Sequence, residues 1–304
     1  MAAMNRTKVF HSNFFSMGTR MDIVLPHVDD EEGDEIYQSI RLEVKRLEKK
    51  LSRFDKNGAV YYVNAHAFKD QVALDSELYS IVRDCQDYYR KTNGYFDITQ
   101  RKLMDYWKSD ERDQKKLDVL VSNLGTNNIM LDDQNKTIRF KNEYIEIDLG
   151  GYGKGYALEN VQGILAEHSI KSAFISFGDS SVLTVGSHPY GEYWGVGIRN
   201  LHDKTENAYT FNIRNSSVST SGITPLKKGT EWGHVINPKT GSPVKGAKTV
   251  SVSSLSPLQA EVLSTVLLIS NQEEIKEILC RFNVDEAVEL VYSEDKQYKA
   301  NPLL

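Results

Sequence analysis

The chain has 304 residues, of which 40% are hydrophobic, and its 37 Lys and Arg against 42 Asp and Glu give a formal net charge of −5. This is an ordinary globular composition, and its acidic balance argues against a general nucleic-acid-binding protein. The two cysteines, Cys85 and Cys280, form neither a CxxC pair nor a disulfide framework. No apolar run approaches the roughly 18 residues of a transmembrane helix, so we expect no membrane span.

The first 19 residues contain neither the apolar segment of a signal peptide nor a cysteine placed for lipidation. This pattern predicts a cytoplasmic protein. The alternative is an exported lipoprotein whose leader has been removed.

Apolar periodicity predicts the elements of the first half of the chain. Residues 21–25 alternate as in a strand, and an acidic turn at residues 29–35 opens a helix. The apolar residues of this helix share one face, namely Ile36, Ile40, Val44, Leu47 and Leu51. A second helix is predicted over residues 76–91, followed by a hairpin-like pattern over residues 119–147.

The second half begins with a helix over residues 154–168 and an apolar strand at 173–177. Further strands are predicted at 193–199, 208–214 and 249–253, and further helices over 257–269 and 272–282. Interleaved strands and helices favour an α+β (mixed α/β) fold with mixed or antiparallel sheets and packed helices. No linker rich in Pro, Gly or Ser divides the chain, so we expect a single domain over residues 1–304.

The strongest chemical signal lies at residues 147–157, which read Ile-Asp-Leu-Gly-Gly-Tyr-Gly-Lys-Gly-Tyr-Ala. A strand ends in Asp148, passes a glycine-rich turn and enters a helix that carries Lys154 in its first turn. Free backbone N–H groups at a helix start attract anions, and Lys154 adds a positive charge there. The segment matches neither the P-loop nor the dinucleotide-binding fingerprint. For such a pattern, a turn with a purely structural role is about as common as one that binds a ligand.

A second cluster, at residues 231–241, places His234 between Gly233 and an Asn-Pro turn. A lone His of this kind is more often a surface or hydrogen-bonded core residue than a functional one. Upstream, Thr220-Ser221-Gly222 forms a hydroxyl-rich segment that we interpret as a turn able to hold a phosphate or a carbonyl group.

A third pattern pairs Glu261 with Thr265, four residues apart on one helical face. A carboxylate and a hydroxyl at this spacing could share a hard cation such as Mg²⁺, although a solvent-facing pair is the commoner outcome.

Three segments near the start, at residues 15–19, 51–55 and 94–99, place aromatic or Met side chains beside Gly and Asp. Such side chains usually pack in a core, but in loops they can enclose a flat heteroaromatic ring.

Taken in order, these segments resemble the ApbE family of flavin transferases. The matching motifs are Phe-x-Met-Gly-Thr, Leu-Ser-Arg-Phe-Asp, Gly-x-Phe-Asp-x-Thr, Ile-Asp-Leu-Gly-Gly-x-x-Lys-Gly-Tyr-Ala, Thr-Ser-Gly, a His-x-x-Asp-Pro-x-Thr-Gly variant and an Ala-Asp-x-Leu-x-Thr variant. They run from Phe15 to Thr265 and so cover most of the chain.

The resemblance implies a Mg²⁺-dependent enzyme that takes FAD as its substrate. Such an enzyme transfers FMN to a Ser or Thr hydroxyl in a loop of an acceptor flavoprotein and releases AMP. It also implies the family's mixed α/β fold with FAD held in a cleft. Two alternatives remain open, an FAD pyrophosphatase that yields FMN and AMP, and an FAD-binding protein without turnover.

The resemblance also implies roles for individual residues. The implied FAD-binding residues are Met17, Phe54, Tyr95, Phe96, Asp97, Asp148, Lys154, His234 and Val235. The implied metal ligands are the Gly151 carbonyl, the Glu261 carboxylate, the Ser264 carbonyl and the Thr265 hydroxyl. Lys154 would neutralise diphosphate charge. His234 would act as a general base toward the acceptor hydroxyl or, in our preferred interpretation, would hydrogen-bond the cofactor.

Three positions depart from the family pattern. Glu261 replaces an Asp and is one methylene longer, which matters because Mg²⁺ is exacting about geometry. Asp179 stands where a second Gly is usual, and Asn237 replaces the Asp of the His motif. Together these changes leave open a weakened or altered activity.

Overall fold

The computed structural model describes residues 8–109, 112–224 and 235–304. The strands in these residues are β1 (Val9–Ser16), β2 (Thr19–Pro26), β3 (Val72–Ala73), β4 (Ile129–Asp132), β5 (Thr137–Phe140), β6 (Ala173–Phe177), β7 (Ser181–Val185), β8 (Trp194–Arg199), β9 (Asn207–Ile213), β10 (Ser217–Ile223), β11 (Lys248–Ser254), β12 (Glu286–Tyr292) and β13 (Tyr298–Pro302). The helices are α1 (Asp30–Leu51), α2 (Ala59–His66), α3 (Ser76–Lys91), α4 (Arg101–Lys108), α5 (Gln114–Asn123), α6 (Gly153–Glu167), α7 (Pro257–Ile269) and α8 (Gln272–Leu279).

An eight-stranded sheet forms the centre of the fold, in the order β1-β2-β6-β7-β10-β11-β12-β13. Its ladders are all antiparallel. A small sheet, β3-β5-β4, and the β8-β9 hairpin lie apart from it. The antiparallel architecture with packed helices agrees with the predicted α+β class.

Helices α1, α6 and α7 lie on one face of the large sheet, and the hairpin covers the other. Helix α7 is buried around almost its whole circumference, as expected for a helix enclosed by the core. It begins where Ser256 caps the N–H of Gln259 and Pro257 occupies the first turn. Helix α1 is capped by Asp29 and ends in Lys49 and Lys50, which complement its dipole.

The two strands at the middle of the sheet differ in length. Strand β7 pairs with β10 only between residues 181–183 and 217–219, whereas β10 continues to Ile223 beside β11. The β6–β7 connection turns away there through Gly178 and Asp179, both at positive φ. The sheet therefore opens next to the last residues of β10, and the candidate site lies at this opening.

Several sequence-based assignments are confirmed and several are wrong. The helix at residues 76–91 and the helix over 257–269 are found with those bounds. The hairpin assigned to residues 119–147 is wrong at its start, because Val119 belongs to α5 and pairing begins only at Ile129. The segment Thr220-Ser221-Gly222 is a strand end of β10 and not a turn.

In the part of the chain that the structure describes, no helix is both long and apolar enough to cross a membrane.

Helices α6 and α7 pack tightly against each other at Gly155. A Cβ at this position would stand 2.7 Å from the Cβ of Glu261 and 2.8 Å from the Cα of Leu258. We expect Gly155→Ala to force the helices apart and to lower the free energy of unfolding by about 2 kcal/mol. Gly163→Ala is the matched control, because Gly163 lies on the same helix with open space around its Cβ. It should raise stability by about 0.5–1 kcal/mol. Urea unfolding of both variants measures these changes, and equal effects would contradict the packing argument.

Candidate functional site

A cavity of about 540 Å³ lies where the loop after α3, the start of α6, the end of β10 and the middle of α7 meet. Its volume falls in the range of small-molecule sites. Eleven of the residues that the sequence singled out line it, namely Tyr95, Phe96, Asp97, Asp148, Gly151, Lys154, Thr220, Ser221, Gly222, Val235 and Thr265. The fold therefore brings together residues from segments far apart in the chain.

The turn that leads into α6 is held by Asp148. Its Oδ1 accepts the N–H of Gly150 at 2.9 Å, and its Oδ2 accepts Nε of Arg53 at 2.7 Å. Asp148 is thus paired with a largely buried guanidinium, and its first role is to orient the turn. At Gly151 a Cβ would meet nothing within 4 Å, so the backbone of this turn is open to the cavity.

Lys154 and Glu261 form an ion pair at the back of the cavity, with Nζ 2.6 Å from Oε1. The Lys154 side chain is 23% exposed, but that of Glu261 is only 8% exposed. Lys154 also donates to Ser181 Oγ at 2.8 Å and to Ser180 Oγ at 3.0 Å. The other carboxylate oxygen of Glu261 accepts the hydroxyls of Ser181 at 2.6 Å and Ser219 at 2.8 Å. Both carboxylate oxygens therefore have partners, which burial of a charge requires.

A chain of hydroxyl groups links this pair to the cavity wall. Ser221 shares hydrogen bonds with Thr265 at 2.8 Å and with Ser264 at 2.9 Å. The Ser264 hydroxyl in turn lies 3.3 Å from the Ser219 hydroxyl, which donates to the Glu261 carboxylate. The side chains of the expected metal ligands on α7 therefore belong to one connected network.

The donor chemistry of this network suits Mg²⁺, because the expected ligands are all oxygen atoms and one of them is a carboxylate. Among residues 8–109, 112–224 and 235–304, no cluster of three or more His, Cys, Asp or Glu forms a metal site. Glu261 is the single acid in the expected ligand set, and Lys154 engages its Oε1. A metal ion and the ammonium group would therefore compete for this carboxylate.

Asp97 stands in a polar recess at the other end of the cavity. Its Oδ1 accepts the N–H of Thr99 at 2.9 Å and the hydroxyls of Thr99 and Thr126, each at 2.8 Å. Both threonines are buried. Desolvation raises the pKa of Asp97, although these hydrogen bonds oppose the shift.

Tyr95 and Phe96 form the apolar wall beside Asp97, and both are buried. The Tyr95 hydroxyl donates to Glu274, and the ammonium of Lys239 lies 3.9 Å from the centroid of the Tyr95 ring. Burial and the Glu274 carboxylate raise the pKa of Tyr95 to about 12. Phe96 packs against Tyr88 in an edge-on contact, so both rings of this wall have packing partners within the protein.

Met17 and Phe54 do not line this cavity. The Met17 sulfur lies 3.9 Å from where a Cβ of Gly153 would stand, so it packs near the start of α6. Phe54 is 74% exposed, and the guanidinium of Arg53 stacks on its ring at 3.8 Å. Both residues thus lie near the turn that Asp148 holds, outside the enclosed volume. His234 lies outside the described residues.

Sequence reasoning missed the serines that surround the ion pair. Ser180 and Ser181 follow the β6–β7 turn, and Ser219 precedes the Thr-Ser-Gly segment on β10. The sequence offers one indication of them, because Ser and Thr recur among apolar residues in the segments that form β7 and β10. Arg53 was present in a matched motif, but its pairing with Asp148 was not anticipated.

Two of the three departures from the family pattern have local explanations. Asn237 Oδ1 accepts the N–H of Lys239 at 2.9 Å, so the amide closes this turn as a carboxylate would. Asp179 adopts a φ of 57°, in the left-handed region that Asp tolerates better than most residues.

Comparison with known proteins identifies the family of the chain and its relatives. Residues 17–288 match the model of the ApbE family. The FAD:protein FMN transferase of Buchnera aphidicola is 25% identical over 283 residues, which cover 88% of this chain and 82% of that protein. The FAD:protein FMN transferase of Escherichia coli is 25% identical over 300 residues, covering 93% and 84%.

Solved structures show the same fold. The ApbE protein of Thermotoga maritima superposes with a TM-score of 0.83 at 23% identity and covers 96% of each chain. The flavin transferase ApbE from Vibrio cholerae superposes with a TM-score of 0.82 at 18% identity and covers 97% of each chain.

The raised pKa of Asp97 predicts a pH-dependent difference in stability. Folding favours the protonated form of the Asp97 carboxyl, because its pKa is higher in the folded state than in the unfolded state. The stabilisation from this group is therefore present below its pKa in the unfolded state and is lost as the pH rises through its pKa in the folded state. Asp97→Asn keeps the accepting oxygen without the charge. We expect the wild-type protein to lose stability relative to this variant as pH rises from about 4 to about 8. Urea unfolding across this range measures the difference, and a difference that changes in the opposite direction would contradict the assignment.

Proposed function

The chain belongs to the ApbE family, and on this basis we propose that it is an FAD:protein FMN transferase. It moves the FMN half of FAD onto a Ser or Thr hydroxyl of an acceptor flavoprotein and releases AMP. We propose further that residues 1–304 act as one ApbE-like domain. The observation that carries the proposal is the cavity in which the open turn at Gly151 and the ammonium of Lys154 face the same space.

Free N–H groups at a helix start and a nearby cation are what a diphosphate needs for binding. Phosphoryl transfer depends mainly on position and on charge neutralisation. In this proposal Lys154 neutralises charge on the diphosphate, while Asp148 keeps the α6 turn oriented through Arg53. The recess formed by Tyr95, Phe96 and Asp97 receives the adenosine end of FAD.

The remaining assignments are part of the same proposal. Met17, Phe54 and Val235 contact FAD, the first two from outside the enclosed volume. His234 hydrogen-bonds the cofactor or accepts the proton of the acceptor hydroxyl. The Gly151 carbonyl, the Glu261 carboxylate, the Ser264 carbonyl and the Thr265 hydroxyl would hold Mg²⁺, which when bound lowers the charge of the diphosphate.

The function is tested by incubating the protein with FAD, Mg²⁺ and purified acceptor domains that carry Ser/Thr flavinylation loops. We expect a fluorescent acceptor band in a denaturing gel and AMP in equal amount. Free FMN and AMP, with no FMN attached to the acceptor, would identify an FAD pyrophosphatase. FAD that stays bound and unchanged with every divalent metal would identify a binding protein, and either result would reject the transferase.

The Lys154–Glu261 pair generates a prediction on metal affinity. Lys154→Met removes the cation that engages Oε1 of Glu261, so the FAD-free variant should bind Mg²⁺ more tightly than the unchanged protein. If the competing contact contributes about 1.4 kcal/mol, the affinity for Mg²⁺ should rise about tenfold. FMN transfer should nevertheless fall, because the diphosphate loses its ammonium partner. Calorimetric titration with Mg²⁺ and the transfer assay measure the two effects separately.

Lys154→Arg is the matched control for this prediction, since it keeps a cation beside Glu261. Its affinity for Mg²⁺ should stay near that of the unchanged protein. Unchanged or weaker Mg²⁺ binding by Lys154→Met would show that the ammonium does not compete for this carboxylate.

A further inference from the structure

A second cavity, of about 320 Å³, lies between β8 and the part of the large sheet formed by β6, β7 and β10. We call it the β8 groove. Residues 195–199 of β8 line it, whereas no residue of β9 does. The groove therefore follows the edge of β8 that faces away from β9. Since an extended strand rises about 3.3 Å per residue, the groove has the length of a segment of about five residues.

This edge of β8 has no partner strand within residues 8–109, 112–224 and 235–304, where β8 pairs with β9 alone. An unpaired strand edge presents backbone N–H and C=O groups that can bind another extended chain. Gly195 and Gly197 alternate along β8 and contribute no side chains that could shield this edge.

The β8 groove adjoins the cavity of about 540 Å³ that holds FAD in our proposal, which we call the FAD cavity. Ser180, Thr220 and Gly222 line both spaces. This junction is the place where β7 stops pairing with β10 and the sheet opens. A segment lying in the groove would therefore have one end at the wall of the cavity that holds the diphosphate in our proposal.

The lining of the groove indicates what kind of ligand it accepts. Its floor combines the apolar side chains of Phe174, Val182 and Val218 with the hydroxyls of Ser176 and Thr249. The charged side chains among its described residues are Asp179 and Arg199, which lie 3.9 Å apart and offset each other. The groove thus offers no net positive charge for a second phosphate group but suits an extended, uncharged peptide with small side chains.

We propose that the β8 groove is the docking site of the acceptor flavoprotein, which adds a Ser- or Thr-containing segment as a strand along β8. The inference rests on the proposed transferase function and names the surface that brings its second substrate to FAD. The acceptor hydroxyl oxygen forms the new bond to the FMN phosphorus, and the P–O bond to the AMP phosphate breaks. AMP leaves with the bridging oxygen, and the hydroxyl proton passes to the base named in the proposed function or to the AMP phosphate.

The first test narrows the groove with Ser176→Trp. Ser176 is half-buried on the groove floor and lies outside the FAD cavity. We expect kcat/KM for the acceptor to fall at least about tenfold, while the Kd for FAD, followed by flavin fluorescence, changes less than about twofold. Ser80→Trp is the matched control, because Ser80 is exposed on α3 and lines neither the groove nor the FAD cavity. It should transfer FMN as well as the unchanged protein.

Hydrogen exchange of the unchanged protein provides a second test, which does not depend on a variant that folds. Adding the acceptor domain should slow exchange in residues 194–199 of β8 and leave the outer strand β13 unaffected. Normal transfer by Ser176→Trp, or unaltered exchange in β8 at saturating acceptor, would overturn the docking site while leaving the transferase intact. No transfer by the unchanged protein would reject the proposed function, and the docking site with it.

Discussion

The contact between Lys154 and Glu261 is the interaction on which the candidate site depends. It joins the start of α6 to the middle of α7, and the serines that complete it come from β7 and β10. A carboxylate with 8% exposure is costly to bury unless its oxygens are paired and hydrogen-bonded. The position of the helices on the sheet and the chemistry of the cavity are therefore set by the same few bonds.

The sheet provides the second constraint. Ser181 and Ser219 are partners in the β7–β10 ladder, and both face α7. Strand β7 begins at Ser181, and beyond a backbone hydrogen bond from Thr220 to Ser180, β10 continues to Ile223 without pairing to β7. At this place the lining of the cavity on the helix side meets the lining of the β8 groove on the hairpin side, because both include Ser180, Thr220 and Gly222.

Several elements with strong apolar periodicity could be predicted from the sequence, although the apolar strands β7 and β12 were also missed. Helix α3 shows its inward face in Leu78, Ile81 and Cys85 and was assigned with the observed bounds. Strand β10 was missed because its buried positions include Ser217 and Ser219. Their hydrogen-bond partners on other elements make burial possible, and a single sequence does not reveal those partners. Helix α5 was misassigned since a short apolar run such as Val119 to Val121 fits a strand as well as a helix.

The sequence by itself determined the acidic, cysteine-poor composition, the α+β class and the order of motifs that led to the ApbE family. It also predicted functional roles for Asp148, Lys154, Glu261 and Thr265. Only the tertiary structure decided that Lys154 engages Glu261, that Arg53 holds Asp148 and that Met17 and Phe54 lie outside the enclosed cavity. The physical reason is that a motif records residue type and spacing along one segment. Ion pairs and cavities depend instead on how distant segments pack against a common sheet.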